Sequence, residues 1–196
     1  MTTPEALIHA LSGPGPDGSD YDLNPEIGLP AERQLRAAAV LIAVCEGAGG
    51  PSILLTKRAS GLKHHPGQIA FPGGKIDTTD ASPEAAALRE AQEEVGLDPA
   101  LVQVLGRLPP HETVTGYTVL PILAHVQTCF TPRAEAGEVE EVFRVPLSHL
   151  ADPARYRIER RIWRGQWRRY YAVPYGPYYI WGATARMLRA LAGRLA

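Results

Sequence analysis

The chain has 196 residues, a formal charge of −1 with neutral histidines, and hydrophobic and charged fractions of 45% and 21%. That is the make-up of one globular domain with a sizeable core, and a general polyanion binder would be more basic. The longest apolar run, Ala37 to Cys45, is about half the length a bilayer span needs, and the N-terminus, with Glu5 and His9, lacks the basic head and apolar stretch of a secretory signal, so a cytoplasmic protein without membrane attachment is expected.

In chain order, a short helix is expected near Thr3 to Leu11. The stretch "SGPGPDGSDYDLNPEIGLP" follows, whose Gly, Pro and Asp favour turns over a packed element. Residues 1–34 are read as an N-terminal helix and irregular arm, and 35–196 as a single domain. "QLRAAAVLIAVCE" and "PSILLTKRA", separated by "GAGG", read as two strands joined by a flexible turn, the first central in a sheet. Phe71 and Pro72 are expected to end a strand, and Gly73 and Gly74 to form a tight turn with backbone close to a ligand.

The strongest boundary signals belong to "SPEAAALREAQEEVG", with Ser82 as N-cap, Pro83 at the first helical position and Gly96 as C-cap. Leu88, Ala91 and Val95 are expected to face the core, turning the glutamates to the opposite edge. Further strands are expected at Val102 to Gly106, Val119 to Thr128 and Val139 to Val145. "RYRIERRIWRGQWRRYYAVPY" reads as a hairpin with one charged face, and a helix from about Trp181 to Leu195 closes the chain. Strands mixed with two substantial helices and no internal repeat point to one layered α/β domain. Cys45 and Cys129 each lie in a strand-like apolar run, where a reduced buried thiol is expected, and neither has a CxxC partner.

Glu90, Glu93 and Glu94 are the chemical puzzle of the sequence. At i,i+3 and i,i+4 spacing they share a helix face, and each like-charge pair costs a few tenths of a kcal/mol when exposed. A cation is therefore expected beside them, and clustered carboxylates are hard oxygen ligands suited to Mg²⁺ or Mn²⁺. The preceding "FPGGKIDTTD" is neither a P-loop nor a GxGxxG fingerprint.

Taken together, Gly74 followed by a spacer and "REAQEEVGL" resembles the Nudix hydrolase signature, a glycine, a spacer and REUxEExGU. The helix half matches at every defined position. Asp80 stands where a glutamate is usual, and one extra residue separates it from Arg89, a longer "GGxxDxxD" form similar to the coenzyme A pyrophosphatase branch. "LLTKRASGLKHHPGQIAFPGG", Leu54 to Gly74, is similar to the motif preceding the Nudix box in that branch, with Leu54, Leu55, Thr56, Arg58, Ala59, Gly67, Phe71, Pro72, Gly73 and Gly74 fitting. Lys63 replaces its second arginine, keeping charge but not bidentate geometry. "YYIWGATARML" is similar to the closing segment of the same branch, so the resemblance runs from about Leu35 to Leu188.

The resemblance implies a Nudix fold, an α/β/α sandwich with a mixed β-sheet and a catalytic loop–helix. It implies hydrolysis of the pyrophosphate of coenzyme A or acyl-CoA to 3′,5′-ADP and (acyl-)4′-phosphopantetheine, with Mg²⁺ or Mn²⁺. Glu90 and Glu94 are implied as principal metal ligands, Glu93 as a further ligand or water-activating base, and Arg89 as a residue orienting a glutamate. The Gly74 carbonyl is a further candidate ligand. Arg58, Lys63, His65, Gly73 and Gly74 are the candidate substrate contacts, with His64 beside them. A later-loop base or ligand is open among Glu138, Glu140 and Glu141.

The hairpin from Arg155 to Arg169 carries seven arginines against one acid, Glu159. It creates a local positive field, read as solvated strand faces or a homodimer contact, with a coenzyme A 3′-phosphate or nucleic acid as functional alternatives. ADP-ribose or another nucleoside diphosphate derivative is the alternative substrate. A non-catalytic Nudix-like nucleic-acid-binding or regulatory module is the rival class, against which the three retained glutamates and the overall charge argue.

Overall fold

The computed structural model describes residues 4–12, 18–28, 33–63, 65–128 and 130–195. The thiol expected at Cys129 and the side chain of His64 lie outside these. The elements are α1 (Pro4–Leu11), β1 (Gly18–Ser19), β2 (Arg36–Cys45), β3 (Ser52–Arg58), β4 (Ile69–Ala70), β5 (Gly73–Lys75), α2 (Pro83–Val95), β6 (Val102–Arg107), β7 (His111–Glu112), β8 (Tyr117–Val126), β9 (Val139–Pro146), α3 (Leu147–Leu150), β10 (Arg157–Trp163), β11 (Gln166–Ala172) and α4 (Gly182–Leu195).

Nine apolar or small residues, Ala37 to Cys45, without a helical repeat make β2 a strand that must be covered on both faces. It is central, as expected, pairing parallel with β8 from Arg36↔Tyr117 to Cys45↔Val126 and antiparallel with β3 and β5. The nine-stranded mixed sheet has the order β1-β7-β8-β2-β3-β4, with β5 on β2, β6 on β8 and β9 on β3. β10 and β11 form a separate two-stranded sheet.

Side-chain alternation along β2 assigns the two faces. Ala39, Leu41, Ala43 and Cys45 pack with Ala86, Ala87, Ala91 and Val95 of α2. Ala38, Ile42 and Val44 pack with Leu7 and Ala10 of α1, Leu147 and Leu150 of α3, and Leu188 and Leu191 of α4. Helices thus cover both faces of the sheet, the α/β/α sandwich expected. Among the described residues, no helix is long and apolar enough to cross a membrane.

The Gly73-Gly74 pair is strand rather than the expected tight turn. It forms β5, with Gly73 opposite Val40 and Gly74 opposite Ala39. A β-carbon at Gly73, whose φ is +152°, would lie 2.5 Å from the Ala39 carbonyl oxygen, so glycine serves close approach here.

Candidate active site

Helix α2 begins and ends where its sequence dictates. The Ser82 hydroxyl accepts from the Ala85 amide at 3.2 Å, and Gly96 adopts the left-handed conformation at φ 68° while its N–H donates to the Ala91 and Gln92 carbonyls. Its apolar stripe is built from small alanines, which let it approach β2 and β5 closely. This stripe takes in one residue that the sequence reading turned outward. Ala87, Ala91 and Glu94 follow i, i+4, i+7 spacing, and Glu94 is accordingly buried, 5% exposed, while Leu88 is only partly buried.

The buried carboxylate of Glu94 accepts a hydrogen bond from the Gly73 amide at 3.2 Å. Burial raises its pKa to about 7, aided by the negative charges of Glu90 and Glu138 and opposed by that amide and by Arg58. One turn earlier, Glu90 sits directly over Gly74, where a β-carbon would be 2.5 Å from its Oε1. Burial also pushes the Glu90 pKa up, with Glu93 and Glu138 adding to the effect and Arg89 opposing it.

The cation expected beside these glutamates is supplied in part by the chain itself. Arg89 donates to Glu90 Oε1 at 3.0 Å and to Glu93 Oε2 at 3.1 Å, and forms a two-pronged pair with Asp80 at 3.0 Å on each arm. Those carboxylates hold the guanidinium still more firmly protonated, and it holds Asp80 below the usual carboxylate range. The aspartate in place of the usual glutamate therefore braces the arginine. Glu93 is 59% exposed at its side chain, so it is the member of the trio turned to solvent.

The donor set suits a hard divalent ion. Two partly or fully buried carboxylates, Glu90 and Glu94, have ionised forms disfavoured by burial and by neighbouring carboxylates, and they meet at a glycine cradle without a side chain in the way. Glu138 contributes to the same negative field. Among the described residues, no three His, Cys, Asp or Glu side chains are already drawn together as a metal cage. Arg89 occupies one oxygen of Glu90 and one of Glu93 instead.

A cleft of about 1050 Å³ opens on the other side of β5. Arg58, His65, Gly73 and Gly74 line it, as four of the predicted substrate contacts. Lys63 is exposed and is not among the lining residues. Among the described residues, eight lysine and arginine side chains line the cleft against one carboxylate, Asp20. Arg36, Lys75 and Arg186 belong to this set and were not singled out in the sequence: Arg36 opens β2, and Lys75 and Arg186 lie within motif segments whose pattern does not mark them.

The far wall is the arginine-rich hairpin. Its two-residue turn, Arg164-Gly165, has φ of 49° and 78°, the positive pair that matches strand twist. The expectation of a single charged face is corrected by the register. Arg161 stands opposite Arg168 on one face and Arg160 opposite Arg169 on the other, where Ile158, Ile162 and Trp167 are also exposed. Charges at positions of both parities cannot share a face. The hairpin is tied to the body by Asn24, wholly buried, whose side-chain amide donates to the Arg169 carbonyl at 3.0 Å and whose oxygen accepts from the Arg169 amide at 2.7 Å.

Comparison with known proteins agrees with this geometry. Residues 35–164 match the model of the NUDIX domain. An uncharacterized Nudix hydrolase NudL from Salmonella heidelberg (strain SL476) is 45% identical over 170 residues, covering 87% of this chain and 88% of the relative. Another NudL, from Salmonella paratyphi B (strain ATCC BAA-1250 / SPB7), is 46% identical over 157 residues, 80% of this chain and 81% of the relative. The crystal structure of a Nudix hydrolase from M. smegmatis, RenU, superposes with a TM-score of 0.51 at 26% identity, over 60% of this chain and 74% of that one. A MutT/nudix family protein from Enterococcus faecalis shares the fold, with a TM-score of 0.51 at 18% identity over 87% of this chain and 66% of its own. The chain therefore belongs to the NUDIX domain family and is a Nudix hydrolase, an enzyme of diphosphate linkages in nucleoside diphosphate derivatives.

Proposed function

We propose that this enzyme hydrolyses the pyrophosphate bond of coenzyme A or its thioesters, giving 3′,5′-ADP and 4′-phosphopantetheine or its acylated form. The observation that carries the reading is the cleft, whose basic lining begins at Gly73, Gly74 and Arg58 beside the glutamates and extends to the hairpin. A diphosphate alone would occupy only the first part of it. A substrate with charge and an aromatic base beyond the scissile linkage makes use of the whole, and the resemblance of Leu54 to Gly74 to the coenzyme A branch supports the same substrate.

In this reading Glu90 and Glu94 would hold a divalent ion, with the exposed Glu93 and the Gly74 carbonyl as further candidate ligands. When bound, Mg²⁺ or Mn²⁺ would neutralise diphosphate charge and lower the pKa of a coordinated water. Arg89 positions Glu90 and Glu93 by its fork, itself braced by Asp80. Arg58, whose charge reaches Glu94 and whose Nε is buried with no hydrogen-bond partner, is placed to receive a diphosphate oxygen.

Of the three later glutamates, Glu138 is the general base. Glu140 is engaged by Lys57 and Glu141 by the Tyr178 hydroxyl, whereas the charge of Glu138 is felt at both Glu90 and Glu94. Its loop is held in place by the Glu135 amide donating to the Glu94 carbonyl at 2.9 Å and the Ala59 amide donating to the Glu138 carbonyl at 2.8 Å. Glu138 accepts the proton of the attacking water as the bond to phosphorus forms and the bridging oxygen departs.

The test is hydrolysis of coenzyme A beside dephospho-coenzyme A and ADP-ribose, with Mg²⁺ or Mn²⁺, for the wild type and Glu94→Gln, products being identified by mass. Metal-dependent release of 3′,5′-ADP that collapses in the variant is expected. Turnover of ADP-ribose alone would remove coenzyme A as the substrate.

A further inference from the structure

We propose that the cleft-facing side of the hairpin is a binding site for a phosphomonoester carried on the nucleoside end of the substrate, with Arg161 and Arg168 as its specificity-determining pair and Trp163 and Trp181 as the rings that hold their guanidinium planes. The inference rests on the coenzyme A reading for the identity of the substrate, and on the hairpin alone for the site.

Arg161 and Arg168 stand directly opposite one another across the hairpin, on the face that lines the cleft with Trp163 and Tyr170. Like charges directly opposed on two strands are destabilising. Here no acid offsets them: among the described residues no carboxylate lies within ion-pair distance of Arg161, Arg164 or Arg168. The nearby acids are engaged elsewhere. Glu159 takes the Tyr179 hydroxyl, Asp22 takes Arg186, Glu26 takes Arg169, and Asp20 takes His111 and the Val114 amide.

The arginines are instead held by rings. Arg161 lies over Trp181 at 4.8 Å, Arg164 over Trp163 at 4.4 Å, and Arg168 between Trp163 at 4.9 Å and Tyr21 at 5.0 Å. Stacking fixes the plane of a guanidinium while leaving its edge N–H groups free to donate. The Nε and Nη1 of Arg168 are buried and have no hydrogen-bond partner. Buried donors of a charged group left in that state are costly, and an anion drawn to this end of the cleft offsets that cost. On a chain of net charge −1, so local a field selects an anion at one end of the cleft rather than binding polyanions at large.

Two measurements decide the matter. Calorimetric titration of the protein with 3′,5′-ADP and with 5′-AMP should give at least about tenfold tighter binding of the bisphosphate, and R161Q/R168Q should abolish that difference while leaving 5′-AMP unchanged. Arg160→Gln, on the opposite hairpin face, should preserve it. In turnover, the double variant should raise KM for coenzyme A by about 10–100-fold and leave dephospho-coenzyme A unaffected. Equal binding of the two nucleotides by the wild type, or a parallel loss of both in the double variant, would overturn the site. If the wild type cleaves ADP-ribose and not coenzyme A, the substrate reading fails while the titrations still judge the arginine pair. If coenzyme A is cleaved and the titrations show no preference, the arginine pair fails and the substrate reading stands.

Discussion

Glu90 rests on Gly74 so closely that a single methyl group at the glycine would lie 2.5 Å from its carboxylate oxygen. The neighbouring Gly73 is confined differently: a β-carbon there would meet main chain, the Ala39 oxygen at 2.5 Å and the Val40 Cα at 2.6 Å. The two substitutions should therefore separate. Gly74→Ala displaces the end of a flexible side chain, so stability should change by less than about 1 kcal/mol while kcat/KM falls about a hundredfold or more through misplacement of Glu90. Gly73→Ala pushes backbone against backbone at positive φ and should cost about 2–4 kcal/mol by chemical denaturation.

Glu94 predicts a pH dependence of the metal-free protein. Its pKa rises from an ordinary 4.5 to about 7 on folding, so between these values the native state binds the additional proton. Stability from this group is then fully present below about pH 4.5 and is lost as pH climbs through 7. The loss is at most about 3 kcal/mol. Glu94→Gln, which keeps an oxygen for the Gly73 amide, should raise the melting temperature at pH 8 in the presence of a chelator and leave it nearly unchanged at pH 4.5. A stabilisation equal at both pH values would contradict the assignment.

The proposed base gives a contrast between close neighbours. Glu138→Gln should lower kcat by about 10²–10⁴-fold with KM little changed. Glu140→Gln, which breaks an exposed ion pair with Lys57 away from Glu90 and Glu94, should leave kcat within about twofold. A collapse in the Glu140 variant with an intact Glu138 variant would reassign the role.

Asn24→Ala removes both side-chain hydrogen bonds to the Arg169 backbone from a buried position. The expected loss is about 2 kcal/mol, read as a drop in melting temperature of roughly 5 °C. Because the bonds hold the hairpin wall, KM should rise as well, with kcat at saturation largely retained.

Much of this arrangement was legible before any coordinates. The caps of α2 and the apolar runs of β2, β3 and β8 are local signals, and each falls within a few residues of its expected place. What the sequence hid were facts of approach between elements. Glu94 is charged, and only the closeness of an alanine-faced helix to β5 explains its burial. The Gly73-Gly74 pair looks like a turn because glycine is needed both for turns and for crowded strands. The hairpin was visible as alternating basic and apolar residues, but consecutive arginines such as Arg160-Arg161 and Arg168-Arg169 place charge on both faces. The role of Asn24 was invisible, since turn-rich composition does not say which turn residue reaches a strand 145 positions away.

Because β10 and β11 form a two-stranded sheet of their own, bridged to Trp181 at Ala172, the wall bearing the arginine pair is a ribbon outside the nine-stranded sheet. An isolated two-stranded ribbon is marginal in water, and this one is secured near its base, where Ala172 and Val173 are buried, and at Asn24. Amide protons toward the Arg164-Gly165 tip should exchange with solvent orders of magnitude faster than those of β2 and β8. The molecule thus joins a chemically rigid end, set in the main sheet and α2, to a recognition end whose order is cheap to lose, and sequence drift in that ribbon can change what the enzyme accepts while its bond-breaking half stays folded.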